Sequence, residues 1–319
     1  MINAAKKMAE EGKSYHDISH ILDITVHQAK MIAGNHGFTV YNYHSAKQKY
    51  PAGPLPTFTE PIRMGERRKI YNKYKGKAMK WLTLSDLHYP FEAEEVIEKA
   101  LKEKVNGVVF SEVFDFYGLS RFRKSRLISA SEELRHGLKL VRKIKKMVKN
   151  VVWYEANHER RIWALLQDRL AGHEDVIEIL EIEPPLAHKM MEIGVDATVS
   201  WWVRLGNVIF AHPDWFSNVN LRTAESTQNY FLQASRKLFG QIEAICNNHT
   251  HKLIWGQRYG QHLIETGCAC HRMDYLDEGK KRLESQPGYA VVAVNADGSL
   301  NTDETRIVPV KIDEHYFEF

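Results

Sequence analysis

The chain has little of what would place a protein outside an aqueous, reducing compartment. Its only cysteines are Cys246, Cys268 and Cys270. Three thiols cannot pair completely, and C-A-C lacks the C-x-x-C spacing of redox and zinc motifs, so reduced thiols are expected. No apolar run approaches the roughly 20 residues of a membrane-spanning helix. The opening MINAAKKMAEEGKSYHD has no apolar stretch of the roughly 7–15 residues found in a secretory signal. A cytoplasmic protein with no membrane partner is expected. Internal repeats and low-complexity tracts are lacking too, which excludes solenoid and fibrous architectures. What is there suits a globular protein: 319 residues, 44% hydrophobic and 26% charged, enough for one large domain with a small appendage.

Charge divides the chain. The net charge is only +4, yet residues 1–80 carry 14 Lys and Arg against 6 Asp and Glu, a net +8. The remaining 239 residues carry 30 against 34, a net −4. A basic N-terminal part before a mildly acidic body points to a polyanionic partner, with a solvated basic tail as the plain alternative.

Residues 1–40 show three helical patterns, at 2–12, 15–22 and 26–33, with Gly34 and Gly37 after the last. In YHDISHILDITVHQAKMIAG, the residues Ile18, Ile21, Leu22, Ile24, Ala29 and Ile32 are expected to be buried between crossing helices, with small Ser19 at the crossing. This spacing resembles the DNA-reading helix-turn-helix family. The resemblance implies that Thr25 caps the second helix and that His27, Gln28 and Lys30 face base edges or phosphates. Asp23 stands at the turn position that such proteins usually give to glycine. The alternative is a three-helix unit that packs or contacts protein.

Residues 41–78 contain four prolines, basic side chains and interleaved tyrosines, and are expected to form a basic linker. Tyrosine among lysine and arginine also suits single-stranded nucleic acid, through base stacking and phosphate attraction.

From residue 79 to 319 an α/β domain is expected. AMKWLTLSDLH, EAEEVIEKALKEK, NGVVFSEVFD, SEELRHGLKLVRKIKKMVK and NVVWYEANHER alternate short apolar runs with amphipathic stretches, the pattern of strands and helices in layers. Further strands are expected near 207–212, 242–247, 253–256, 262–266 and 289–295. With fewer helices between them, they suggest a mixed sheet or a pair of packed sheets.

Potential metal ligands sit where these strands stop. Asp86 and His88 form D-L-H, Glu112 and Asp115 lie in S-E-V-F-D, and Asn157, His158 and Glu159 form N-H-E. His212 ends VIFAH, and His249 and His251 form H-T-H after AICNN. Carboxylate, imidazole and amide groups at successive strand ends converge on one edge of a sheet, where open α/β folds place their sites.

The ordered set over residues 80–270 resembles the calcineurin-like metallophosphoesterase superfamily, which includes phosphatases, phosphodiesterases and DNA-repair nucleases. The resemblance implies a four-layer β-sandwich flanked by helices, following a small all-α helix-turn-helix domain, with two divalent metal ions at one edge. It assigns Asp86, His88 and His251 to the first ion, Asn157, His212 and His249 to the second, and Glu112 as a bridge. His158 would be the general acid or stabilise charge on the phosphoryl group, Asp115 would orient a neighbouring group, and Glu159 would be a supporting residue.

The chemistry agrees with those roles. Two cations clamp phosphoryl oxygens and acidify water for in-line displacement, and mixed imidazole and carboxylate donors suit Mn, Fe or Zn, with Mn expected to serve in vitro. Arg160 and Arg161 are candidates for substrate phosphate, or for solvated positions opening a helix. The sequence also departs from the family, which has glycine at the positions of Ser111, Ala156 and Asn248 and aspartate at that of Glu112. Side chains in place of the glycines are expected to crowd the ions or shift the loops, and the longer acid to displace its carboxylate.

Three functions fit the sequence. The first is a metal-dependent phosphodiesterase or nuclease directed to nucleic acid, DNA before RNA, by the N-terminal part, as suits DNA processing in a bacterium or a phage-infected cell. The second is a phosphomonoesterase acting on phosphoprotein or small molecules. The third is a DNA-binding protein with a catalytically weakened domain.

Overall fold

The computed structural model describes residues 2–10, 18, 21–22, 24, 26–35, 59–120, 128–162, 164–165, 185–234, 236–271, 273 and 285–312. The chain forms two compact units, Met1–Ile62 and Arg63–Phe319.

In the first unit, helices Ile2–Glu10 and Val26–Asn35 bury Ala5, Ala29 and Ala33 together with Ile18. Leu22, Ile24 and Ile32 pack against this small core. Ile21, expected inside, is 53% exposed: Ile18 and Leu22, four residues apart, share the packing face and leave Ile21 beside it. Most of the expected middle helix, Asp23 and Thr25 lie outside the described residues. So do the side chains of His27 and Lys30, whereas Gln28 is exposed on the second helix.

The second unit holds two mixed sheets. The first has strand order β11-β10-β1-β2-β3-β4, from β1 (Met79–Thr83), β2 (Gly107–Phe110), β3 (Asn150–Tyr154), β4 (Asp196–Thr198), β10 (Gly288–Val294) and β11 (Leu300–Pro309). The second has order β5-β6-β7-β9-β8, from β5 (Trp202–Leu205), β6 (Val208–Ala211), β7 (Ala244–Asn247), β8 (Leu253–Arg258) and β9 (Gln261–Thr266). Strands β1 to β4 are mutually parallel, as are β6, β7 and β9.

Strand alternation distributes the apolar residues between layers. Trp81, Val109, Val152 and Tyr154 meet Val203, Val208, Phe210, Ala244 and Cys246 between the sheets. Their neighbours Leu82, Val108, Phe110, Val151 and Trp153 face helices Glu94–Leu101, Ala130–Met147 and Pro185–Glu192. On the far side, Ile209, Ala211 and Ile245 pack on helix Arg222–Ala234. The result is helix, sheet, sheet, helix, and burial on both faces explains why these strands read as unbroken apolar runs.

Two features of the helices bear on the site. Ser129 caps helix Ala130–Met147 by accepting from the Glu132 amide at 3.1 Å, and acids in its first turn and lysines in its last complement the helix dipole. Gly137 lets this helix lie on Phe114, whose ring would be 2.2 Å from any added Cβ. Residues Thr59–Tyr74, within the stretch expected as a linker, form a helix. Its Arg67 bonds Ser200 at 2.6 Å and lies over the Trp202 ring, while Lys73 and Tyr74 both bond Asp196. Among the described residues, no helix is long and apolar enough to cross a membrane.

Candidate metal centre

Parallel strands β1, β2 and β3 end side by side, and so do β6 and β7 in the facing sheet, so five polar loops meet at one edge. Asp86, His88, Glu112, His212, His249 and His251 are all buried there. Five of these have left-handed backbones: Asp86 (φ 52), His88 (φ 48), Glu112 (φ 53), His249 (φ 81) and His251 (φ 57). Conformations that side chains adopt at a cost of order 1–3 kcal/mol each persist where the surrounding structure fixes them, and they gather at functional sites. Here they turn side chains from successive strand ends toward a common centre.

The centre has two lobes. In one, Asp86, His88, Glu112 and His251 offer donor atoms all within 4.8 Å of one another. His88 Nε2 is 3.1 Å from His251 Nε2, and His251 Nε2 is 3.6 Å from Asp86 Oδ1. The other lobe groups Glu112, His212 and His249. His212 Nε2 lies 3.2 Å from His249 Nδ1 and 3.0 Å from Asn157 Oδ1. Glu112 belongs to both lobes: its Oε2 is 3.1 Å from His88 Nε2 and 3.2 Å from His212 Nε2.

Asp115 stands beside the first lobe. Its Oδ1 is 2.6 Å from His158 Nδ1 and 3.0 Å from His88 Nδ1, and its Oδ2 accepts from Arg161 Nη1 at 3.1 Å. One buried carboxylate thereby sets the orientation of two imidazoles. Glu159 works on the backbone: it accepts from the amides of Val113 (2.8 Å) and Ala156 (3.0 Å) and from the Trp153 indole (3.3 Å), tying the loop after β2 to that after β3. Arg160 makes a two-pronged pair with Asp214 at 2.5 and 3.0 Å. Both arginines considered for substrate phosphate thus lie on carboxylates.

The electrostatics follow from packing many ionisable groups out of water. Burial pushes the Glu112 carboxyl up, but His212, His88 and His158 around it bring it well below the usual range. Burial and the neighbouring Glu112 raise Asp86 well above its usual range. His88 is pushed down by burial yet raised overall to about 10 by Glu112 and Asp115, whereas burial lowers His212 to about 4. Burial also lifts Glu159 to about 7 against the donors that bind it.

The donors fit divalent cations. Asp86 Oδ2 and both Glu112 carboxylate oxygens are buried without a hydrogen-bond partner, although such groups are costly to desolvate unless paired or coordinated. Carboxylate, imidazole and amide donors in two groups sharing one carboxylate suit a pair of borderline metal ions.

Ser111 and Asn248, two of the positions expected to crowd the site, are hydrogen-bonded to each other. Ser111, Ala156 and Asn248 all avoid the left-handed region, which Glu112 beside Ser111 and His249 beside Asn248 occupy instead. The Ser111 hydroxyl lies 2.8 Å from Ser85 Oγ and 3.3 Å from His212 Nδ1, and accepts from Asn248 Nδ2 at 3.2 Å. Asn248 also bonds the Tyr154 hydroxyl and accepts from Thr266. Reading the sequence missed this network, because nothing local marks Tyr154 or Thr266 as partners of Asn248.

No family model and no curated protein matches the chain. Solved structures give distant likenesses. An archaeal phosphodiesterase is 14% identical over 73% of this chain and 100% of its own, with a TM-score of 0.37. A metallophosphoesterase from Sphaerobacter thermophilus is 16% identical over 74% of this chain and 89% of its own, at 0.38. A hypothetical protein from Pyrococcus horikoshii is 12% identical over 74% of this chain and 89% of its own, at 0.42.

Proposed function

We propose that the protein is a calcineurin-like phosphoesterase that uses two divalent metal ions to hydrolyse phosphodiesters, with nucleic acid as the substrate class. The observation that carries this reading is Glu112 Oε2, 3.1 Å from His88 Nε2 and 3.2 Å from His212 Nε2, a single carboxylate shared by two ligand groups. Asp86, His88 and His251 would hold one ion and Asn157, His212 and His249 the other, with Glu112 between them. Bound there, the ions supply Lewis-acid neutralisation of phosphoryl charge and acidify water.

The remaining steps belong to side chains. Asp115 engages Nδ1 of His158 at 2.6 Å, which fixes the ring and leaves its other nitrogen to give a proton to the departing oxygen. Burial and Arg161 lower His158 against the pull of Glu112 and Asp115. Arg161 holds the Asp115 carboxylate, and the Arg160–Asp214 pair fixes the loop next to Asn157. The basic excess of residues 1–80 favours a polyanionic substrate, and the helix pair within residues 2–35 is the proposed nucleic-acid module.

The test is hydrolysis of bis-p-nitrophenyl and mono-p-nitrophenyl phosphate by the full chain supplied in turn with Mn²⁺, Fe²⁺ and Zn²⁺. Diester turnover that competes with added DNA and is lost in His158→Ala supports the reading. Monoester preference without DNA competition replaces it with a phosphatase, and metal uptake without turnover of either ester replaces it with a binding protein.

A further inference from the structure

Positive charge in the second unit is gathered on one helix. Residues 130–149 carry seven Lys and Arg against two Glu, a net +5, whereas the other residues of 81–319 carry 23 against 32, a net −9. Within helix Ala130–Met147, Gly137, Leu138, Val141 and Ile144 are buried, and Arg135, Lys139, Arg142 and Lys146 are exposed. Steps of four, three and four residues put these four cations on one stripe. Arg135, Lys139 and Arg142 each precede a buried residue by two positions, about 200° around the helix, so the stripe points directly away from the core. Exposed Lys143 lies beside it. Among the described residues, none of these five side chains has an ion-pair partner.

Like charges three and four residues apart destabilise a helix, so an unpaired basic stripe carries a cost that a polyanion would relieve. The start of the stripe lies against the metal-site loops. Glu133 Oε1 accepts from the Gly118 amide at 3.2 Å, Gly137 rests on Phe114 of the S-E-V-F-D motif, and the His136 ring stacks at 5.3 Å on Tyr89, the residue after His88. Farther along, Arg142, Lys145 and Lys146 line a cleft of about 300 Å³ with Glu192 and Ile193. The acid in that cleft, Glu192, is itself held by His188 at 3.2 Å. From Arg135 to Lys146 the helix rises about 16 Å, the axial length of about five phosphates in one strand of a duplex.

We propose that Arg135, Lys139, Arg142 and Lys146 bind the sugar–phosphate backbone of double-stranded DNA and lead it to the metal centre. This deepens the nucleic-acid reading of that centre and rests on it. Guanidinium and ammonium groups on one outward line meet phosphate oxygens without reading bases, so the stripe supplies affinity and register, not sequence preference. Each phosphate it neutralises releases condensed counterions, and the salt dependence of binding counts those contacts. The stripe belongs to the second unit, so its role is separate from that of the helix pair within residues 2–35.

The test is the salt dependence of binding between the full chain and a labelled DNA duplex of about 20 base pairs, from about 50 to 200 mM salt, without added metal so that no turnover intervenes. In the fourfold variant Arg135→Gln, Lys139→Gln, Arg142→Gln, Lys146→Gln, the slope of log affinity against log salt is expected to be shallower by about 0.9 for each contact removed, about 2–4 in all. Over that range the wild type then loses about 15- to 250-fold more affinity than the variant. Glutamine keeps helix propensity and the exchange relieves like-charge repulsion, so the variant is expected to unfold no earlier than the wild type. The milder Arg142→Gln, Lys146→Gln pair should show about half the slope change, and Lys102→Gln, Lys104→Gln, which removes exposed charge elsewhere, should keep the wild-type slope. An unchanged slope in the fourfold variant overturns the role of the stripe and leaves the phosphoesterase reading standing. A wild type that binds phosphatidylserine vesicles and no duplex overturns it in favour of a membrane surface. The slope change without turnover of either p-nitrophenyl ester overturns the hydrolytic reading and reduces the stripe to a DNA-binding surface.

Discussion

Asn248 Nδ2 donates a hydrogen bond to Ser111 Oγ at 3.2 Å. These residues are 137 apart, and each occupies a position where the superfamily resembled by the sequence has glycine. The pair ties the loop after β7 to the loop after β2 and places the Ser111 hydroxyl 3.3 Å from His212 Nδ1. A partner on that nitrogen fixes the ring and directs Nε2 toward the centre, as supporting groups do for metal-bound histidines. The two departures from glycine therefore form one hydrogen-bonded support.

Their energies are expected to be coupled. Ser111→Gly and Asn248→Gly should each destabilise the fold, and the double variant should cost less than their sum by about 0.5–3 kcal/mol, the range for residues in one network. Denaturant unfolding of the four proteins checks this. Strict additivity would mean that the two side chains act independently.

Glu112→Asp is expected to impair the site, even though aspartate is the residue the resemblance leads one to expect. Glu112 Oε2 already reaches within 3.1 and 3.2 Å of both lobes, and removing a methylene withdraws it by about an ångström, more than the tolerance of about 0.5 Å for such sites. Affinity for the second ion equivalent should fall about tenfold or more, measured by calorimetry. A gain in affinity would show glutamate to be a handicap.

Metal uptake is expected to release protons at neutral pH. In the metal-free protein His88 is raised to about 10 and is therefore protonated at pH 7.5, while His212, lowered to about 4, is neutral. By linkage, the stabilisation from His88 is complete below the unfolded value of about 6.5 and is lost as pH rises through its folded value. That from neutral His212 is complete above about 6.5 and is lost as pH falls through its folded value. Imidazole nitrogen shifts across pH 4–10 read both rings. Calorimetry at pH 7.5 in buffers of different ionisation enthalpy should show at least one proton released per chain, and no release at all would contradict a protonated His88.

Glu159→Ala leaves the Val113 and Ala156 amides and the Trp153 indole without their carboxylate. Orphaned buried donors cost about 1–3 kcal/mol each, so unfolding stability should fall by about 2–4 kcal/mol. Because these amides flank Glu112 and Asn157, metal affinity should fall as well. A change below about 0.5 kcal/mol, typical of a surface substitution, would contradict this.

Much of the layered body was legible in the sequence because β1, β2, β3, β6 and β7 are buried on both faces and so appear as apolar runs closed by polar motifs. The strands β4 and β5 and the long strand β11 were not anticipated. β4 and β5 have only three and four residues, and β11 places Asn301, Asp303, Glu304 and Arg306 at the outer edge of its sheet. The helix Thr59–Tyr74 was hidden by its basic composition, since Arg67 stacks on Trp202 and Lys73 pairs with Asp196 across more than 100 residues of sequence. At the site, residue types and their order could be read from the strand ends. The placement of Glu112 between two lobes and the Ser111–Asn248 bond depend on loop geometry between distant segments, which no local pattern carries.

The most direct test of the two-ion centre is metal stoichiometry: elemental analysis of the full chain purified without chelator and then equilibrated with Zn²⁺, alongside Asp86→Ala and His212→Ala. The account predicts two ions per chain, reduced to one in each variant, with the ion lost from a different lobe in each. One ion or none in the wild type, or two retained in both variants, would contradict it.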